Sequence, residues 1–428
     1  MQASSITISA NKVGFVLLVL FFRVVLDCSY AFFVSDIFAY DGYGFEFDLS
    51  SYVLSWVVYV LSMGMLSDRL KNVGHYFYVT AVLSVVAPLS AICGLDASRP
   101  FFPLIITVLA LYWIFFLSNT PLVSFRRLPV IKQGRSFAIV ISILFVGFLV
   151  FWFSVSGAKV NFDLSKVYEY REANAELAAQ GVLAYTNNWT FQVFSIYLIC
   201  FALYFRRYLI FCMLLAVQVF FFGVSAHKSV LFLPLLVVSV WFYFRRSDSL
   251  LIIPAAFVFL ILLSMFTFIA FDDLWLTSLL SRRVFFMPAS LSFAYFEFFS
   301  TNAHTYWANS IMSSFFVYPY GDIGIPYVIG GYLGYPQMGA NNGFVSSGFA
   351  HAGTFGIFFY ATLIGLLLRV INDISQGFMP VWVAVAISVV PLRSLLISSD
   401  LFTVMLTHGF AVAICLIYLS RQRAPALS

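Results

Sequence analysis

Charge is scarce in this chain. Asp, Glu, Lys and Arg make up only 10% of its 428 residues, while 62% are hydrophobic. A soluble domain carries roughly a quarter charged residues, so a water-covered globular protein is excluded. Cysteine is scarce as well, with five residues (Cys28, Cys93, Cys200, Cys212, Cys415) in or beside apolar runs. They show neither CxxC nor metal-ligand spacing and read as buried free thiols. No GxxxxGK[ST] loop occurs, which excludes a nucleotide-hydrolysing engine of that kind. No DxD-type acidic pair stands in a basic turn to hold a nucleotide sugar through a metal. No His/Cys cluster has metal spacing, so neither a metal nor a cofactor is expected. An internal repeat is also missing.

What the chain does have is apolar runs near the ~20 residues that cross a bilayer as a helix. About twelve can be counted by that length criterion, with cores near 13–34, 51–66, 75–94, 101–118, 137–156, 191–205, 208–224, 230–244, 250–271, 344–370, 379–397 and 402–420. The first lacks a small-residue cleavage site and is interrupted by Arg23 and Asp27, so it reads as a retained helix. Most of the 23 basic residues recur at every second turn, in Arg69 and Lys71, Arg126, Arg127, Lys132 and Arg135, Arg206 and Arg207, Arg245 and Arg246, and Arg421 and Arg423, and Lys12 and Arg369 fall on the same side. That bias predicts cytoplasmic termini. The expectation is an all-α polytopic membrane protein: N-terminal helices over 1–157, an outer loop over 158–190, central helices over 191–271, a large outer loop over 272–342 and C-terminal helices over 343–428. The 158–190 loop is charged, and its 163–179 part is Ala/Glu-rich enough for a surface helix. The 272–342 loop carries an aromatic stretch at 284–299, expected as short helices lying along the membrane or re-entering it. The overall charge of +5 describes turns facing two compartments and points to no nucleic acid.

A few cations fall on the outer side against the bias. Lys228 and Ser229 stand in the tight turn Ala226-His227-Lys228-Ser229 at the start of an inward-running helix. Free N–H groups, a dipole end and a cation coincide there as an anion site, although a snorkelling Lys fits too. Arg282 and Arg283 open the aromatic stretch, as phosphate ligands or as interfacial anchors. Glu297, an acid among rings, should have a raised pKa unless a cation pairs with it. It is an Arg partner or an acid–base group. Asn341 and Asn342 precede a helix whose outer half is small and polar. His351 shares a face of that helix with Ser347, as a base, a phosphate donor or an interhelical hydrogen-bonder. Arg393 either pairs with Asp400 or grips an anion that Asp400 helps to orient. Arg23 and Asp27, four apart, neutralise each other. His408 reads as structural.

Over 226–409 the chain resembles the bacterial oligosaccharide repeat-unit polymerases of the Wzy type (O-antigen or capsule polymerases), which are related to the O-antigen ligases. The resemblance rests on Ala226-His227-Lys228-Ser229, on Arg282-Arg283-Val284-Phe285-Phe286-Met287-Pro288 followed by Tyr295-Phe296-Glu297-Phe298-Phe299-Ser300, on Ala340-Asn341-Asn342-Gly343-Phe344, on Ser398-Ser399-Asp400 and on Leu406-Thr407-His408-Gly409. It implies a GT-C-like fold with two long periplasmic loops in the bacterial inner membrane, with the active site facing the periplasm. Donor and acceptor would be undecaprenyl-pyrophosphate-linked oligosaccharides, and a chain-length regulator is a further partner such a protein allows. Lys228, Ser229, Arg282, Arg283 and Arg393 would bind pyrophosphate. Glu297, His351 and Asp400 are the candidate catalytic groups, and His227, Tyr295, Asn341 and Asn342 would contact substrate. No metal is implied. An O-antigen ligase, a lipid-linked oligosaccharide flippase or other transporter, and a membrane acyltransferase are the competing readings.

Overall fold

The computed structural model describes residues 12–121, 124–163, 170, 174, 181, 183–225 and 227–422. The charged stretch 164–169 and most of 171–180, Ala226, and the Ser229 side chain lie outside the described residues, so the expected surface helix and the Ser229 contact go with them.

The chain is all-helical, and the described residues form no strand. In chain order the helices are α1 (Lys12–Ile37), α2 (Leu49–Met65), α3 (Val73–Leu95), α4 (Phe102–Asn119), α5 (Gly134–Val155), α6 (183–204), α7 (Tyr208–Ser225), α8 (Lys228–Phe244), α9 (Ile252–Phe271), α10 (274–301), α11 (Ile325–Tyr332), α12 (Phe344–Ser375), α13 (Val381–Ile397), α14 (Leu401–Leu406) and α15 (Phe410–Leu419). Among the described residues, 7 of these (α1, α3, α4, α5, α7, α9 and α12) are long and apolar enough to cross a membrane. The protein is therefore membrane-embedded and polytopic.

Water-free surroundings oblige every backbone group to bond within its own helix, which is why apolar runs of this length become helices. Polar side chains in them must pair. Arg23, fully buried in α1, ion-pairs with Asp27 one turn on and donates to Ser90 Oγ (2.8 Å) and Ser55 Oγ (3.1 Å). Its guanidinium lies 5.0 Å from the Trp56 ring centroid. One ion pair thus joins α1, α2 and α3.

The turns sort to two ends. At one, Leu70 N donates to Asp248 O, Arg126 pairs with Asp373, and Arg421 donates to the Leu128 and Arg126 carbonyls. At the other, Arg99 donates to Asp96 and to Gly42 O, and Arg282 pairs with Asp41. The turns holding Arg69, Arg126 and Arg421 meet at the first end, and those holding Asp41, Asp96 and their arginine partners at the second.

Two elements depart from expectation. The aromatic stretch is one continuous helix, α10, and not several short ones. Its first half is π-helical over Thr277–Phe286. It packs in succession against α9, the end of α1, α3, α4 and α12, and so lies across the bundle. The second departure is in α12, which is not one straight rod. Ala352 (φ −153°, ψ 36°) and Gly353 (φ 58°, ψ −144°) are non-helical. Gly348 and Gly356 meet across the break, so closely that a Cβ on Gly356 would stand 2.0 Å from Gly348 O. Residues 344–351 thus fold back on 354–375.

Candidate functional site

The fold-back in α12 delivers His351 to the start of α14. Its Nε2 lies 3.2 Å from Asp400 Oδ2 and its Nδ1 lies 2.7 Å from Thr305 Oγ1. Tyr360, two turns beyond the break, donates to the same Asp400 oxygen. Trp307 donates from its indole N–H to Tyr360 OH at 2.6 Å and stacks on the His351 ring, with centroids 5.1 Å apart and planes at 18°. The other oxygen, Asp400 Oδ1, accepts from Phe402 N (2.8 Å) and Thr403 N (3.4 Å), capping α14. Burial alone would raise this carboxyl's pKa. The hydrogen bonds from His351, Tyr360 and Phe402 N–H outweigh it and hold the pKa below the ordinary value.

Strain marks the same place. Tyr306 (φ 46°) and Trp307 (φ 56°) are consecutive non-glycine residues in the left-handed region, which costs on the order of 1–3 kcal/mol each. Backbone bonds from Thr305 N to Ala350 O (3.1 Å) and from Tyr306 N to His351 O (2.9 Å) hold the segment against the broken helix.

Thr305, His351 and Asp400 reproduce the connectivity of a hydroxyl–imidazole–carboxylate triad. Thr305 is 0% exposed, so no substrate reaches its hydroxyl, and its role is to orient the imidazole. The group that faces open space is Asp400, whose side chain is 23% exposed. It lines a cavity of about 250 Å³ together with Tyr295, Asn341, Asn342, His351 and Ser399.

A second cavity, of about 540 Å³, lies between α6, α8 and α13 and is lined by Gln192, His227, Arg393, Ser398 and His408 among others. Arg393 is an exposed residue on its wall. Among the described residues no carboxylate pairs with it, and the ionisable group that feels its charge is the Tyr76 phenol. Ser399 Oγ bonds His408 Nε2 at 2.9 Å, and His408 Nδ1 sits 3.3 Å from Gln192 Oε1. Ser398 therefore faces the larger cavity while Ser399 and Asp400 face the smaller. The turn 398–400 is a thin wall between them.

The sequence-derived residues divide accordingly. His351 and Asp400 come together, as do His227 and Arg393. The expected Arg393–Asp400 pair does not form, because His351 and Tyr360 occupy the carboxylate. Glu297 is not enclosed among rings. It is exposed and lines a separate cavity with Arg99, since α10 turns it to the opposite face from Tyr295. No cation pairs with it among the described residues. Arg282 is already committed, paired with Asp41 and lying 4.5 Å over Phe38. Arg283 is exposed, as is Lys228, which is the first residue of α8. Tyr295 donates to Ala340 O (2.9 Å). Asn342 is buried, and its two amide hydrogens are shared among Pro288 O, Ser292 Oγ and Ser346 Oγ, which lie 2.9–3.0 Å from Nδ2. Both residues shape the small cavity's wall, whereas Asn341 is exposed on it.

Sequence reasoning missed Thr305, Trp307, Tyr360 and Gln192. Tyr360 offered one faint signal, a hydroxyl in an otherwise apolar run. Its nine-residue separation from His351 matches no helical face, so only the fold-back pairs them. Comparison of the chain with protein-family models, with curated proteins and with solved structures finds no match.

Proposed function

We propose that the protein is a membrane glycosyltransferase that polymerises undecaprenyl-pyrophosphate-linked oligosaccharide repeat units into O-antigen or a related surface polysaccharide. It works on a GT-C-like frame of about twelve spans in the bacterial inner membrane, with both termini cytoplasmic and the site facing the periplasm. The observation that carries this reading is the pair of cavities across the 398–400 turn: in one, a guanidinium with no carboxylate partner among the described residues, and in the other a partly exposed carboxylate.

The donor's diphosphate lies against Arg393 in the larger cavity, with Lys228 at the neighbouring helix start. The acceptor's terminal hydroxyl enters the smaller cavity beside Asp400. Its oxygen attacks the donor's anomeric carbon while the bond from that carbon to the diphosphate oxygen breaks. The electron pair leaves with undecaprenyl pyrophosphate, where Arg393 stabilises the accumulating charge. The hydroxyl proton passes to Asp400, which His351 and Tyr360 position. A depressed carboxylate suffices as acceptor because the hydroxyl acidifies as its bond to carbon forms.

A lipid-linked oligosaccharide transporter is the second reading. Broken helices are common where transporters bind substrate, and α12 is broken beside the site. One experiment separates the two. Membranes holding the protein and purified lipid-linked repeat units should yield a ladder of longer glycans without nucleotide or divalent metal. Arg393→Ala and Asp400→Asn should lose the ladder while single lipid-linked units still reach the outer face. Loss of outer-face units instead supports the transporter. Transfer of one glycan to a different lipid, without a ladder, supports the ligase.

A further inference from the structure

A third cavity, of about 570 Å³, lies apart from both of the others, at the end of the bundle that carries Asp41 and Asp96. Phe102, Phe293 and Phe296 form its apolar wall, and Arg99, Glu297 and Ser300 its polar rim. The Arg99 guanidinium lies 5.7 Å over the Phe293 ring. Its Nε donates to Asp96 at 3.0 Å and its Nη2 to Gly42 O at 2.5 Å, which leaves Nη1 as the guanidinium nitrogen without a protein acceptor among the described residues. Glu297 follows Phe293 by one turn of α10, a rise of about 6 Å. A cation donor and a carboxylate thus flank one aromatic wall without pairing with each other.

The cavity opens onto the outside of α4. Phe102, at its mouth, is 48% exposed and begins a stripe of exposed apolar side chains that continues through Ile105, Leu109, Trp113 and Phe116. These recur at three- and four-residue intervals, so they face one way along the helix. In a membrane that stripe is acyl-chain surface.

We propose that this cavity is a binding site for a phospholipid whose headgroup carries a primary ammonium, that is, phosphatidylethanolamine. The phosphate meets Arg99 Nη1, the ammonium meets Glu297, and an acyl chain descends the α4 stripe. The balance of charge argues for this lipid over an anionic one. Asp96 already offsets Arg99, so Glu297 leaves the cavity net negative. The Ser98 and Ser300 hydroxyls are spent on Asp96 and on Phe296 O, leaving too few donors for a second negative charge. A trimethylated headgroup is disfavoured because it cannot donate to Glu297. The site requires only that the protein is in a membrane, and it stands whether or not the polymerase reading does.

The test is native mass spectrometry of the delipidated full-length protein in detergent, with phosphatidylethanolamine, phosphatidylcholine and phosphatidylglycerol of identical acyl chains. Wild type should retain the ethanolamine lipid roughly ten-fold over the other two, the scale of one charge-assisted hydrogen bond. Glu297→Gln, at an exposed position, should erase the preference over phosphatidylcholine. Ser300→Trp, which fills the cavity and leaves the Arg99 contacts intact, should reduce retention of the ethanolamine lipid to the level of the others. Equal retention of all three by wild type overturns the proposal, as does an unchanged preference in Glu297→Gln. Displacement of the lipid by a soluble oligosaccharide also overturns it, because the cavity would then be a glycan site.

Discussion

Asp400 does two jobs that substitution can separate. One oxygen caps α14 and the other holds His351 and Tyr360. Asparagine can cap as well as aspartate, whereas alanine loses about 1 kcal/mol. Asp400→Asn should therefore keep the α14 cap, lose only the stability contributed by the ionised carboxylate, and lose glycan polymerisation. Asp400→Ala should lose the cap as well. The pH behaviour follows from the sign of the shift. With a folded-state pKa below the unfolded one, ionised Asp400 contributes stability above the unfolded value of about 3.9. That contribution is lost as pH falls through the folded value. The melting temperature of wild type should thus carry an acid-sensitive component only below about pH 4, and Asp400→Asn should lack it. If the two proteins lose stability in parallel on acidification, Asp400 is not the group being titrated. Arg23 and Asp27 make the corresponding case for a buried pair. Removing either partner alone should cost about 3–5 kcal/mol, read as lost detergent stability. Replacing both with leucine should cost much less.

Among elements, α12 decides whether there is a site at all. A straight helix would carry His351 and Tyr360 far apart along one rod. The break at Ala352–Gly353 turns the first segment back, and Gly353 makes this possible, because φ 58° with ψ −144° is a conformation only glycine adopts readily. Gly353→Ala and Gly356→Ala should each open the corner, the second because its new Cβ meets Gly348 O. Both variants should reach the membrane with lowered melting temperatures, and cysteines placed at 351 and 400 should cross-link in wild type but not in either variant. The sequence does carry Gly348, Gly353 and Gly356, and their spacing speaks of a close neighbour. It cannot say that the neighbour is the same chain, since isolated glycines are tolerated in straight helices. The lateral course of α10 was hidden for a related reason. Its composition reads as interfacial, but the helices it crosses come from distant parts of the sequence. Glu297 does stand beside rings, Phe293 and Phe296, but on an exposed face of α10, because the helix turns Tyr295 inward and Glu297 outward.

At the scale of the molecule, the helical class was the most legible feature, because it follows from the bilayer acting as solvent. An apolar run of sufficient length has no other stable state there, and basic turns favour one side. The structure gathers Arg69, Arg126 and Arg421 at one end and sets Arg99, Arg282 and Asp400 at the other. Arg393 then stands out: it lines a cavity with no carboxylate among the described residues, at a place where an uncompensated cation is costly. A protein that keeps such a charge must gain from it, and an anionic ligand is the simplest gain. Orientation decides whether that ligand can come from the periplasm. Single cysteines at positions 228 and 283 should react with a membrane-impermeant maleimide added to intact spheroplasts, whereas cysteines at 69 and 207 should react only after permeabilisation. The reverse pattern would open Arg393's cavity to the cytosol, beyond reach of a periplasmic diphosphate donor, and the polymerase reading would fail while the phospholipid site would remain.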